Sequence, residues 1–120
     1  MHRVRSFALT RKKSKYKNQP RDYAGNQYHS IKEAKYAMDL DWRKKSGEIK
    51  DWKRQVKQML YAHGKHICDY YIDFVVEYAN GEIEMAEVKG FETDVWRLKW
   101  KLFEAQCQAE HPEYILTIIK

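Results

Sequence analysis

Apolar and polar residues fall into a regular order from Ser30 onward. Ser30-x-x-Glu33 has the form of a capping box, and Ile31, Ala34, Met38 and Trp42 follow at helical spacing until Ser46-Gly47 breaks the run. A helix over residues 31–45 is predicted, closed by the glycine. The next stretch alternates Trp52, Arg54, Val56, Gln58 and Leu60 against Asp51, Lys53, Gln55, Lys57 and Met59, the period of a half-exposed strand. His63-Gly64-Lys65-His66 is a turn signal, and residues 67–78 are rich in β-branched and aromatic side chains, as a strand requires. Ala79-Asn80-Gly81 reverses the chain into a strand over 83–88. Thr93 or Asp94 can cap a second helix with two adjoining apolar stripes, Val95, Leu98, Leu102, Ala105 and Ala109 beside Trp96, Trp100, Phe103 and Cys107. So wide a face is expected to lie on a sheet. His111-Pro112 stops that helix and the final Glu113-Tyr114-Ile115-Leu116-Thr117-Ile118-Ile119-Lys120 supplies a last strand. The order helix, three strands, helix, strand predicts a single α/β domain, an αβββαβ core with a mixed central sheet flanked by helices.

Three charged residues interrupt this pattern. Asp73, Glu87 and Lys89 lie within the most apolar hairpin of the chain. A three-residue loop of Ala79, Asn80 and Gly81 pairs Tyr78 with Glu82, which sets Asp73 opposite Glu87 and puts Lys89 on the same face. A two-residue Asn80-Gly81 loop pairs Asp73 with Val88 instead and sends the two carboxylates to opposite faces. The longer loop, or a bulge of the same effect, is the expected arrangement. Facing carboxylates repel in a low dielectric unless a positive charge lies between them. Their hard oxygens suit Mg²⁺ or Mn²⁺, with the Val88 carbonyl as a further ligand, and Lys89 stands where it can orient or deprotonate an attacking water. These are the parts of phosphodiester hydrolysis.

Asp73 followed by Glu87-Val88-Lys89 resembles the D…(D/E)-x-K signature of the PD-(D/E)XK, or restriction-endonuclease-like, nuclease superfamily. The superfamily core has the same element order over roughly residues 30–120. More narrowly, five stretches resemble a family of small phage-encoded nuclease-like proteins: Ser30-Ile31-Lys32-Glu33-Ala34, Ser46-Gly47-Glu48-Ile49, Tyr71-Ile72-Asp73-Phe74, Glu87-Val88-Lys89-Gly90 and Thr93-Asp94-Val95. The layout is also similar to archaeal-type Holliday junction resolvases, which place an acid on the first helix. That resemblance makes Glu33 an additional catalytic and metal-binding acid. Ile72 stands where the signature has Pro.

Charge adds a partner to this picture. The chain has 120 residues and a formal charge of +6, yet residues 1–22 hold eight basic side chains against one acid, and the remaining 98 hold fifteen against sixteen. Arg3, Arg5, Arg11, Lys12, Lys13, Lys15 and Lys17 therefore form a basic arm, taken as residues 1–28, ahead of a nuclease domain over 29–120. With no amphipathic apolar face beside it, such an arm points to nucleic acid before membrane. Tyr16 and Tyr23 interleave its charges and could stack on bases. No apolar run approaches a membrane span and no signal-peptide core follows the basic residues, so a cytoplasmic protein is expected, in a bacterial host cell if phage-encoded. Cys68 and Cys107 lack any paired spacing, and His63-x-x-His66-x-Cys68 lacks a second ligand pair for zinc.

Each site residue has a structural alternative. Glu33 can complete the Ser30 capping box, a role of about 1 kcal/mol, although Tyr36, Ala37 and Leu40 continue its face inward. Glu87 and Lys89 can form a strand-end ion pair. Asp73, between Tyr71-Ile72 and Phe74-Val75, is the hardest to explain structurally. Glu84 has the opposite parity and is expected in solvent; the four tryptophans are expected in core and rim packing. Lys99 on the second helix is the candidate closest to the site for a phosphate contact. The expectation is a Mg²⁺- or Mn²⁺-dependent DNA endonuclease, by resemblance leaving a 5′-phosphate, with homodimers an option for two-strand cleavage. The alternatives are a resolvase or nicking enzyme aimed at DNA structure, and a nucleic-acid-binding protein with a degenerate site. Composition does not decide between DNA and RNA.

Overall fold

A computed structural model describes residues 21–120. Ser30 caps helix α1 (Ile31–Lys45), its hydroxyl accepting the Glu33 N–H at 3.0 Å. The helix ends in a Schellman turn: Gly47 N–H donates to the Lys44 carbonyl and Glu48 N–H to that of Arg43, with Gly47 at φ +87°. Strands β3 (Ile49–Ala62) and β4 (Lys65–Tyr78) form a long hairpin, and β4 pairs antiparallel with β5 (Ile83–Val88). Helix α2 (Asp94–Glu110), capped by Thr93, then crosses over so that β6 (Ile115–Ile119) lies parallel to β5. The result is an α/β domain with a mixed four-stranded sheet, ordered β3-β4-β5-β6, and two long helices. No helix among the described residues is long and apolar enough to cross a membrane.

Two apolar clusters hold the layers together. One joins Ala34, Ala37 and Leu40 of α1 to Phe74, Val76, Ala86, Val88 and Ile119; the other joins Trp100, Phe103 and Cys107 of α2 to Leu60, Tyr70, Ile72 and Met85. Phe74 is the hub of the first, stacked on Tyr28 and flanked by Tyr36 and Trp52. Tyr70 and Ile72 belong to the second cluster although they alternate in step with Phe74 and Val76. Strand β4 thus changes the helix it serves at Asp73, the residue between the two sets.

The β4–β5 register is the one the longer loop requires. Phe74 pairs with Ala86, Val75 with Met85, Val76 with Glu84 and Glu77 with Ile83. Tyr78 N–H donates to the Glu82 carbonyl, Gly81 N–H returns to that of Tyr78, and Gly81 takes φ +94°, where a side chain would be strained.

Four expectations are corrected. Residues 22–28 belong to the body, not to an arm: β1 (Asp22–Tyr23) and β2 (Asn26–Gln27) form a small hairpin, and Tyr28 is buried against Phe74. Ile31 and Trp42 face outward, because the buried face of α1 is the one carrying Glu33, Ala34, Ala37 and Leu40. On α2 the sheet covers the tryptophan stripe and only part of the other, leaving Val95 and Leu98 exposed. Glu84 is 4% exposed, since α1 covers the face opposite the site as well. Its carboxylate accepts hydrogen bonds from Tyr78 and Thr117, and Arg43 donates to the Tyr78 hydroxyl.

Phe74→Ala is expected to lower unfolding free energy by about 3–5 kcal/mol in urea titrations, whereas Leu98→Ala should change it by under about 0.5 kcal/mol. A large loss from Leu98→Ala would place the outer stripe of α2 in the core.

Candidate active site

The Phe74–Ala86 pair ends the ladder, and just past it Asp73 lies beside Glu87. Backbone and side chain interlock there: the Asp73 carboxylate accepts the Val88 N–H at 3.0 Å through Oδ2, and the Glu87 carboxylate accepts the Asp73 N–H at 3.3 Å. The other oxygen of Asp73, Oδ1, accepts from the Gln55 side-chain amide at 3.1 Å. Glu33 reaches the same place from the first turn of α1. Its N–H engages Ser30 and its carboxylate accepts the His29 N–H at 2.8 Å, so it completes a capping arrangement displaced by one residue. The Asp73 carboxylate lies within hydrogen-bonding reach of both Glu33 and Glu87. Capping and clustering therefore coexist in Glu33.

Glu33 is 3% exposed and Glu87 2%, and the electrostatics follow. Burial, reinforced by the charge of Asp73, pushes the Glu87 carboxyl up to about 8, with Lys89 pulling weakly the other way. Burial, and then Asp73, raise Glu33 as well, against the opposing His29 hydrogen bond. Beside Asp73, Glu33 and Glu87 are therefore both harder to ionise than free carboxylates.

Lys89 lies just past the end of β5, two residues beyond Glu87, its N–H tied to the Ile119 carbonyl at 2.8 Å. Its ammonium lies 4.9 Å from the centre of the Trp96 ring, a cation–π contact that holds the amine beside the acids. The Trp96 indole donates to the Tyr70 hydroxyl at 2.7 Å, and that phenol is pushed upward by burial and by Glu87, with which it also hydrogen-bonds. A continuous chain of contacts thus runs from Lys89 through Trp96 and Tyr70 to Glu87, Asp73 and Glu33.

The structure therefore brings together Glu33, Asp73, Glu87 and Lys89, with Val88 contributing its N–H to Asp73. It separates Lys99, which lines an apolar groove with Ala62, Ile67, Cys68, Val95, Leu98 and Leu102. Arg3, Arg5, Arg11, Lys12, Lys13, Lys15, Lys17 and Tyr16 lie outside the described residues. Tyr23 donates its hydroxyl to Asp41, and His66 pairs with Asp69 at 2.9 Å. Gln55, Tyr70 and Trp96 are site neighbours that the sequence pattern does not single out. Gln55 looks like one more polar position on a half-exposed strand, and the two aromatics look like ordinary core. Among the described residues, no three His, Cys, Asp or Glu side chains stand at the spacing of metal ligands.

A family model described as "Protein of unknown function (DUF1064)" matches residues 13–120. The chain belongs to the DUF1064 family. Comparison with curated proteins and with solved structures found no match. The match spans every described element of this DUF1064 chain and part of the basic segment before them.

The raised Glu87 carboxyl makes a signed prediction for the cation-free protein. Folded, Glu87 keeps its proton to about pH 8; unfolded, it ionises near 4.5. Between those values the unfolded chain binds fewer protons, so stability should fall as pH rises from about 4.5 to about 8 and level off above. Glu87→Gln should flatten that fall and stabilise the protein at the upper end by on the order of 2–4 kcal/mol. Urea unfolding at both ends of the window checks it; a wild type that gains stability across the window contradicts the assignment.

Proposed function

We propose that this DUF1064 protein is a divalent-cation-dependent nuclease of the PD-(D/E)XK superfamily that hydrolyses DNA phosphodiesters. The observation that carries the reading is the convergence of Glu33, Asp73 and Glu87, from three different elements, on one buried spot beside Lys89. A fold gains nothing in stability from such a cluster: Glu33 and Glu87 are desolvated, and Asp73 raises both. The αβββαβ order around a mixed sheet supports the same superfamily.

The donor set fits a hard cation in its chemistry. Clustered carboxylates, with Glu33 and Glu87 buried and both raised by Asp73, are the groups a Mg²⁺ or Mn²⁺ ion would relieve. Asp73 and Glu87 would hold it, with Glu33 and the Val88 carbonyl as further ligands. When bound, the ion would supply Lewis acidity, making a water more acidic and offsetting phosphate charge. The chain's own residues do the rest. Gln55 and the Val88 N–H fix the Asp73 carboxylate from two sides. Lys89, retained by Trp96, orients the attacking water, and its ammonium faces the negative charge that builds on phosphorus. The basic residues from Arg3 to Lys17 contact backbone phosphates.

A second reading, a DNA-binding protein with a silent site, is favoured by one observation: among the described residues, the acids do not stand at metal-ligand spacing. Incubation with supercoiled and branched DNA in Mg²⁺, Mn²⁺ or EDTA separates the two. Metal-dependent cutting is expected, reduced at least about 100-fold in Asp73→Ala, Glu87→Ala and Lys89→Ala. Cutting that survives Asp73→Ala rejects the site, and tight salt-sensitive binding without cutting on any substrate favours the silent one.

Removing residues 1–20 deletes seven lysines and arginines that could neutralise phosphates. The slope of log affinity for duplex DNA against log salt should flatten by up to about six. A truncated chain with the full-length slope would show that these residues do not contact phosphate.

A further inference from the structure

Gln55 has a backbone that its place in the chain does not explain. It sits midway along β3, yet its φ is +52°, the left-handed region that a residue with a side chain adopts at a cost. The β3–β4 ladder records the effect: Arg54 pairs with Phe74 and Val56 with Ile72, and the step between them, where Gln55 faces Asp73, is missing. β3 is an edge strand, so no second neighbour enforces the distortion. Strain of this kind persists where surrounding contacts over-determine it, and it concentrates at functional sites. The contact on offer is the amide of Gln55 donating to Asp73 Oδ1 at 3.1 Å.

Asp73 needs such a contact. Glu33 and Glu87 press on its carboxylate from α1 and β5, and both repel it when ionised. The Val88 N–H holds Oδ2 alone, which leaves the carboxylate free to swing about that bond. A donor on Oδ1 removes the freedom. An amide does so without adding a charge that would compete with a cation, and it leaves a lone pair on each oxygen. Outer partners that orient a ligating carboxylate in this way typically change metal affinity 10–100-fold when removed.

We propose that Gln55 is a positioning residue: its left-handed backbone turns a side-chain amide onto Asp73 and fixes that carboxylate in the orientation the site uses. The metal part of this inference rests on the nuclease reading above; the positioning part does not.

Gln55→Gly separates the role from the fold, because glycine accepts the left-handed backbone and should melt within a few degrees of wild type. With the amide gone, Asp73 loosens and the Val88 N–H loses its fixed acceptor. In metal-free, full-length protein, hydrogen exchange of the Val88 amide should rise about tenfold in Gln55→Gly, as it should in Asp73→Ala, while Val76 and Ala86 exchange as in wild type. Mn²⁺ titrated alone into the same proteins should bind at least about tenfold more weakly to Gln55→Gly. Gln55→Asn, which keeps an amide but falls short of Asp73, should behave like the glycine variant. Unchanged Val88 exchange in both variants overturns the proposal, as does equal acceleration at Val76 and Ala86, which would mark Gln55 as structural. Faster Val88 exchange in a protein whose wild type takes up no Mn²⁺ upholds the positioning role and removes the metal reading alone.

Discussion

The register of β4 against β5 is the constraint on which the site depends. Side chains alternate along a strand, so a shift of one residue would carry Asp73 to the opposite face and leave Glu87 facing an apolar neighbour. Two features pin that register. Gly81, at φ +94°, lets three residues turn the chain with Tyr78 and Glu82 as the closing pair. Phe74, next to Asp73, is locked among Tyr28, Tyr36 and Trp52, so a slip would pull a fully buried ring out of its socket. The acids are therefore placed by apolar packing and turn geometry, not by attraction for one another.

Two buried acidic sites on this sheet show how differently the fold treats a carboxylate. Glu84 meets two hydroxyl donors, with the Arg43 guanidinium one bond behind Tyr78. It is a satisfied polar group of the kind that cores tolerate. Glu87, three residues on, meets a backbone N–H at a long distance, the Asp73 carboxylate and a phenol. Its positive neighbour, Lys89, is directed at an indole ring. Burial and residue type are the same in both places; what differs is whether the surrounding charge is complete.

Much of this was readable in the sequence where local rules act alone. The Ser30 and Thr93 caps, the Gly47 stop and the Gly81 turn each rest on contacts within a few residues, and the helices and strands fall where those signals put them. The same turn carried the Asp73–Glu87 pairing, because the loop length sets the register. What could not be read depends on distant cover. Helical spacing shows that α2 has two apolar stripes but not that the sheet covers the second only in part, leaving Leu98 69% exposed. Parity shows that Glu84 faces away from Glu87 but not that α1 covers that side too. Gln55 was hidden for another reason. His63-Gly64 would set Ala62 opposite Lys65 and, carried back without interruption, Arg54 opposite Asp73; the register shift between Leu60 and Tyr61 puts Gln55 there instead. A bulge of that kind is decided by how the strand fits its neighbours, and no local rule announces it.

The position of Asp73 at the point where β4 passes from one helix to the other explains why the cluster could form at all. A strand buried beneath a single helix offers a polar side chain either core or solvent. Here Phe74 and Val76 serve α1 while Ile72 and Tyr70 serve α2, so the residue between them sits at the seam, half-buried and open to groups from both sides. Glu33 arrives from the first turn of α1, and Trp96, bringing Lys89 and Tyr70 with it, from the first turns of α2. Both helices thus point their N-terminal ends, where the macrodipole is positive, toward this region, the one favourable field the backbone can offer to clustered acids. That field acts weakly beside the repulsion of two buried carboxylates and the half-buried Asp73, and it accounts for acids being tolerated at the seam without being neutralised there. The charge left over is a property of the fold itself, set by where two helices meet one twisted strand.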